Sequence, residues 1–205
     1  DIIKKSYPKV LAVTGPSEPT KVLRAVQKAY PKTGKPLRNF LSPAGIKLTP
    51  KHYSYLKISE GCNHSCQFCI IPDLRGRLRS RQMDLILQEA EDLVKIGTKE
   101  LLVISQDTSA YGLDLNLSFE SKKQENILNL CEALGNLGIW IRLHYLYPYP
   151  HISKLIPLMA SKKLLPYLDI PFQHSHPDVL KRMKRPARSN KSNRQIQAWR
   201  QIVPD

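Results

Sequence analysis

The chain has 205 residues, 41% of them apolar, which is enough for one full domain or a domain plus part of another. No apolar run approaches the ~20 residues of a membrane span, and residues 1–10 lack a charged-then-apolar leader, so neither a membrane span nor secretion is indicated and a cytoplasmic location is expected. Lys and Arg number 32 against 17 Asp and Glu, a net charge of +15, which favours RNA, ribosomes or another anionic neighbour and speaks to association rather than chemistry. The first residue is Asp, not Met, which reads as a processed piece or a fragment.

In chain order, KVLAV (9–13) reads as a buried strand ended by Thr14, Gly15 and Pro16. A short helix starts at Thr20, with Val22, Leu23 and Val26 on one face. Residues 31–50 carry Pro31, Gly34, Pro36, Pro43, Gly45 and Pro50 and read as a linker, with a domain boundary near residue 45. Strands and helices then alternate. Strands are expected at 53–59, 101–105, 139–146 and 167–171, and helices at 83–96, 123–137, 151–161 and 177–184. Such alternation predicts an α/β fold with parallel strands and right-handed crossovers, a partial (βα) barrel. Active residues then belong in loops at the carboxyl ends of the strands. Four strands do not close a barrel of about eight, so the barrel reads as truncated at its C-terminal end.

Four cysteines are present, three of them in the segment GCNHSCQFC (61–69). Cys62, Cys66 and Cys69 follow the first barrel strand with the spacing C-x-x-x-C-x-x-C and no fourth cysteine nearby. Clustered thiols without a secretory leader point to metal in a reducing compartment. Thiolates bind soft metals and iron–sulfur clusters. A 4Fe–4S cluster takes four thiolates, so three leave one iron open for a substrate. Structural zinc, with His64 or His52 as fourth ligand, is the alternative; an electron-carrying ferredoxin lacks its fourth cysteine. Phe68, beside Cys69, suits stacking on an adenine. The fourth cysteine, Cys131, sits on the inward side of a helix and reads as a core thiol.

The C-x-x-x-C-x-aromatic-C loop resembles that of the radical S-adenosylmethionine superfamily. The stretches 42–81, VISQDTSAYG (103–112), IRLHYLYP (141–148) and YLDIPFQHSHPDVLKRMKRP (167–186) resemble the methylthiotransferases, in detail the branch that modifies an aspartate of small-subunit ribosomal protein twelve. The resemblance implies a 4Fe–4S cluster on Cys62, Cys66 and Cys69 that binds S-adenosylmethionine. A 5′-deoxyadenosyl radical would take hydrogen from the aspartate β-carbon, and the cofactors would carry that chemistry. A second 4Fe–4S cluster would donate sulfur. The family holds it on three cysteines of an amino-terminal domain, which are not in this sequence, and residues 1–44 then read as the tail of that domain plus linker, with 45–205 as the radical core. The family also ends in a small β-barrel domain not found here. A reductant protein of the flavodoxin or ferredoxin type is implied as a partner, alongside the ribosomal protein.

Other polar residues are candidates for the cofactor pocket. Gln106, with Asp107 and Thr108, follows the second strand; Arg142 lies in the third strand and calls for a carboxylate, either the cofactor's or that of a buried Asp or Glu; Gln173 and His174 follow the fourth. Arg75, Arg77, Arg79 and Arg81 alternate, and in an extended segment they share one face that would suit ribosomal RNA phosphates. Arg77 and Arg79 look like additions to the family text. Two rival readings remain: the related branch acting on a transfer RNA adenosine, and a non-catalytic, zinc-stabilised module on ribosomal RNA.

Overall fold

The computed structural model describes residues 2–15, 18–31, 47–115, 125–186 and 189–204. The chain divides into two compact units, Asp1–Lys47 and Leu48–Asp205. Residues 32–46, most of the proline- and glycine-rich stretch, lie outside the described residues.

Among its described residues the first unit contains two helices, α1 (Ile2–Ser6) and α2 (Pro19–Ala29). Proline opens α2, where its missing N–H and fixed φ cost nothing. Glu18 ahead of it accepts the Gly15 N–H at 2.8 Å and pairs with Lys21. The expected strand at 9–13 does not form. Leu11 is 60% exposed, and no described strand lies beside it. An apolar pentapeptide becomes a strand only when a neighbour takes its backbone groups. On α2, Val22 and Val26 are exposed, so the apolar stripe is present but uncovered among the described residues.

The second unit is built on five strands among the described residues: β1 (Tyr53–Lys57), β2 (Ser59–Glu60), β3 (Arg79–Ser80), β4 (Glu100–Ile104) and β5 (Trp140–Leu143). β1, β4 and β5 form a parallel sheet in that order, and β2 pairs antiparallel with β3. Ser54 aligns with Leu101 and Leu56 with Val103; Leu101 aligns with Ile141 and Val103 with Leu143. All six are buried, because strand side chains alternate and this face packs under helices.

The covering helices are α4 (Met83–Lys95) and α5 (Ile127–Gly135), preceded in the chain by a single helical turn, α3 (Ile71–Arg75). Met83, Ile86, Ala90 and Leu93 of α4 and Ile127, Leu130, Cys131 and Leu134 of α5 enter the core at helical spacing. Gly97 ends the first crossover at φ 97°. Asn126 starts the second by accepting the Asn129 N–H at 3.0 Å. Cys131 is a fully buried core thiol as expected, its pKa pushed up by that burial.

β5 is shorter than the expected 139–146, and in this unit two further elements change type. The helix at 151–161 is a 3-10 segment, Pro150–Leu155, running into α6 (Ile156–Ala160). Pro157 lacks the N–H that one continuous helix would bond to Ser153 O. The strand at 167–171 is extended chain without a ladder. Leu165 N–H donates to Ile141 O and Leu146 N–H to Asp169 O, both at 2.9 Å, so it follows β5 at two points only. Pro166 and Pro171 interrupt its donors. Helices α7 (Pro177–Arg182) and α8 (Ser189–Ile202) follow. The architecture is α/β: a parallel sheet with helices on one face, as in part of a βα barrel. None of the described helices is long and apolar enough to cross a membrane.

Leu101 sits in the central strand with no exposed surface. Leu101→Ala is expected to cost about 2–5 kcal/mol, read as a lower midpoint in urea unfolding; an unchanged midpoint would contradict the sheet order.

Candidate metal centre

Parallel strands end on the same side, and the cysteine loop begins where β1 and β4 part. Ile58 N–H still donates to Ile104 O at 3.1 Å. Three residues later Gly61 turns the chain at φ 79°. A Cβ at Gly61 would lie 2.2 Å from Arg77 O, so both the dihedral and the space require glycine. Its N–H donates to Gln106 Oε1 at 2.8 Å, tying the loop to the end of β4. Cys62 N–H donates to Gly76 O at 3.1 Å, and Asn63 Oδ1 accepts the Leu78 N–H at 3.0 Å. Cys69 N–H closes a turn on Cys66 O, and Gln67 N–H donates to Met183 O at 3.2 Å. The loop is therefore held by residues 76–78, by Gln106 and by the turn after α7.

Cys62 and Cys66 are half-buried and Cys69 is exposed. Burial pushes the Cys62 thiol up. The His64 N–H on its sulfur, at 3.5 Å, acts the other way, and the charges of Asp107, Cys66 and Cys69 add to the rise. A Cys62 thiol held up in this way by burial and by neighbouring negative charge suits a cationic centre, which reverses that opposition. The donor set thus fits a soft metal or an iron–sulfur cluster.

Beside the loop lies a polar group that the sequence analysis did not assemble. Asp107 is 3% exposed. Its Oδ1 accepts from Ser109 Oγ at 2.6 Å, and its Oδ2 lies 2.9 Å from His64 Nε2. The Tyr149 hydroxyl is 3.0 Å from the same nitrogen. Burial raises the Tyr149 phenol, and the Asp107 charge adds to it. His64 stacks on Tyr147 with ring centroids 3.7 Å apart. Arg185 lies over the Tyr147 ring, 4.2 Å from its centroid, and its Nη1 donates to Cys66 Sγ at 3.8 Å. Ligand atoms of Cys62, His64 and Asp107 lie within 4.8 Å of one another. The alternating tyrosines of YLYPYP were the available signal; nothing local marked Arg185, which is 119 positions from Cys66.

The other expected residues are placed as follows. Gln106 bonds the loop. Phe68 is 52% exposed next to Cys69. Gln173 is exposed and has φ 72°. Arg142 finds its carboxylate in Glu100, with Nε to Oε1 at 2.6 Å, and its guanidinium lies over Tyr167 at 5.0 Å. Glu100 opens β4, so this pair lies toward the end of the sheet away from the loop, and Glu100 is the internal one of the two kinds of carboxylate considered for Arg142. His52, the other ligand considered for zinc, is at that same far end, its carbonyl accepting from Lys99 and Glu100. The four arginines at 75–81 do not share one face. Arg75 ends α3 and reaches Glu60 at 3.8 Å, while Arg81 pairs with Glu89 at 2.6 Å. Arg77 and Arg79 are exposed, on either side of buried Leu78.

A parallel sheet with helices on one face and a cysteine-bearing loop at the strands' carboxyl ends defines a class of metal-binding α/β barrel proteins. Residues 56–204 match the family described as the Radical SAM superfamily, and the chain belongs to it. The whole chain aligns with ribosomal protein uS12 methylthiotransferase RimO of Bartonella tribocorum at 56% identity, covering 48% of that protein. It also aligns with RimO of Herminiimonas arsenicoxydans at 58% identity, covering 47%. The chain thus spans about half the length of the curated relatives it matches. Among solved structures, the radical S-adenosylmethionine methyltransferase TsrM from Kitasatospora setae, with cobalamin and a [4Fe-4S] cluster bound, is similar over 64% of this chain and 24% of that one. The TM-score is 0.50 at 16% identity, a likeness of fold alone.

Gly61→Ala is expected to destabilise the chain by about 1–3 kcal/mol, and Gln106→Ala by about 1 kcal/mol. Urea unfolding reads both; wild-type stability in Gly61→Ala would contradict the constraint described for the loop.

Proposed function

We propose that Cys62, Cys66 and Cys69 hold a 4Fe–4S cluster with one iron free of protein ligands, and that the chain is the radical core of a methylthiotransferase acting on an aspartate β-carbon of ribosomal protein uS12. The observation that carries this is a single loop presenting three thiols at the carboxyl end of a parallel sheet. Alignment of the whole chain with the uS12 methylthiotransferases at 56% and 58% identity supports the choice of substrate. On this reading residues 1–44 correspond to the tail of the amino-terminal methylthiotransferase domain plus linker, and the radical core begins at 45.

When bound, the cluster supplies the electron that opens the sulfonium of S-adenosylmethionine. The protein's own part is to hold, orient and exclude water. Gln106 fixes the loop through Gly61, so its role is positioning. Phe68 offers an exposed ring beside Cys69 for a nucleobase, and Gln173 is a further candidate for cofactor contact. Arg142, paired with Glu100, is a candidate for cofactor contact with weaker support than Phe68. Partners follow from the same reading: the ribosomal protein, ribosomal RNA for the exposed Arg77 and Arg79, and a flavodoxin- or ferredoxin-type reductant, all in the cytoplasm.

A second reading, a zinc-stabilised module on RNA, draws on the convergence of Cys62, His64 and Asp107 within 4.8 Å. The local contacts favour the cluster, because His64 Nε2 is already engaged by Asp107 Oδ2 at 2.9 Å and by the Tyr149 hydroxyl at 3.0 Å. Anaerobic reconstitution is expected to give a brown chain with about four irons that forms 5′-deoxyadenosine from S-adenosylmethionine. Cys62→Ala, Cys66→Ala and Cys69→Ala should each lose both properties. A colourless chain with one zinc would reject the proposal.

A further inference from the structure

Arg185 is a buried cation without a carboxylate. It is 9% exposed. Nη1 donates to Cys66 Sγ at 3.8 Å, Nη2 to Pro171 O, and the guanidinium lies over the Tyr147 ring. Nε is buried with no hydrogen-bond partner among the described residues. Its partners are thus a thiol, a carbonyl and a ring. Burying a guanidinium costs several kcal/mol unless an anion compensates it, and no described carboxylate forms a salt bridge with it. The group it touches that can become anionic is the cysteine sulfur.

We propose that Arg185 is a positioning residue that holds a fixed positive charge on the Cys66 sulfur and so raises the reduction potential of the metal centre on the loop. The inference rests on the cluster reading above. A thiolate-bound cluster gains negative charge on reduction, and hydrogen bonds and positive charge at its sulfurs favour the reduced form. The loop does not depend on this side chain for its course. The backbone bond from Gln67 N–H to Met183 O already ties it to the turn after α7. Arg185 is therefore free to act on charge, with Tyr147 and Pro171 O keeping the planar guanidinium in place.

The test compares wild type, Arg185→Gln and Arg185→Lys after anaerobic reconstitution. Iron is counted chemically, and the midpoint is read by redox titration followed by electron paramagnetic resonance. All three are expected to load iron equally. Arg185→Gln should lower the reduced-to-oxidised ratio at a fixed poise about tenfold, about 59 mV for one electron. Arg185→Lys, which keeps the charge, should stay nearer wild type. Equal midpoints in wild type and Arg185→Gln would overturn the proposal, as would a lysine variant that falls as far as the glutamine one. Loss of iron from both variants would also overturn it, since Arg185 would then prop the loop. A wild-type chain that takes up no iron would reject the cluster reading itself, a different result from an iron-loaded chain with an unmoved potential.

Discussion

Parallel pairing of β1 with β4 is the constraint on which the site depends. Because both strands run the same way, the loops that follow them emerge at one end. Gly61 and Gln106 are 45 positions apart in sequence, yet the N–H of one meets the side chain of the other at 2.8 Å. The same geometry brings Asp107, after β4, to His64, and Tyr147 and Tyr149, after β5, to both. Antiparallel strands would have divided these groups between two ends. The crossover α4, with its four buried side chains, is what permits the parallel arrangement.

Charge is then arranged around the loop with little help from solvent. Asp107 is a buried carboxylate within 4.8 Å of the Cys62 and His64 ligand atoms, and it is held by Ser109 and His64. Arg185 is a cation buried on the other partners of the loop. The apo loop opposes ionisation of Cys62, and a cationic centre supplies what is missing. The pair Arg142–Glu100 is at the opposite end and stabilises the sheet without touching this balance. Arg77 and Arg79 are exposed on either side of buried Leu78, where a surface charge contributes little to stability, ~0–1 kcal/mol.

Much of this was legible in the sequence. The C-x-x-x-C-x-x-C spacing located the loop, and helical spacing placed Cys131 on the inward side of its helix, where it is buried. What escaped depended on distant partners. KVLAV has strand composition but no neighbour among the described residues, and YLDIP lies between prolines that break its ladder. Arg142 was correctly seen to need a carboxylate, yet sequence could not rank Glu100 above a cofactor, because their relative position follows from register. Gln106 was marked for the pocket, and its bond to Gly61 shows how it reaches the loop. Arg185 and the Tyr147–Tyr149 pair lie in or beside stretches marked only as family-like text; folding brings them to the cysteines. The boundary read near residue 45 and the division after Lys47 arise from the same proline- and glycine-rich stretch, most of which lies outside the described residues.

The central claim is that three loop cysteines leave one metal position open to a cofactor. Mössbauer spectroscopy of the chain reconstituted with iron-57, with and without S-adenosylmethionine, tests it most directly. The account predicts that one iron in about four changes its isomer shift when the cofactor is added, while the others keep theirs. Spectra identical with and without S-adenosylmethionine, from a fully loaded chain, would contradict it.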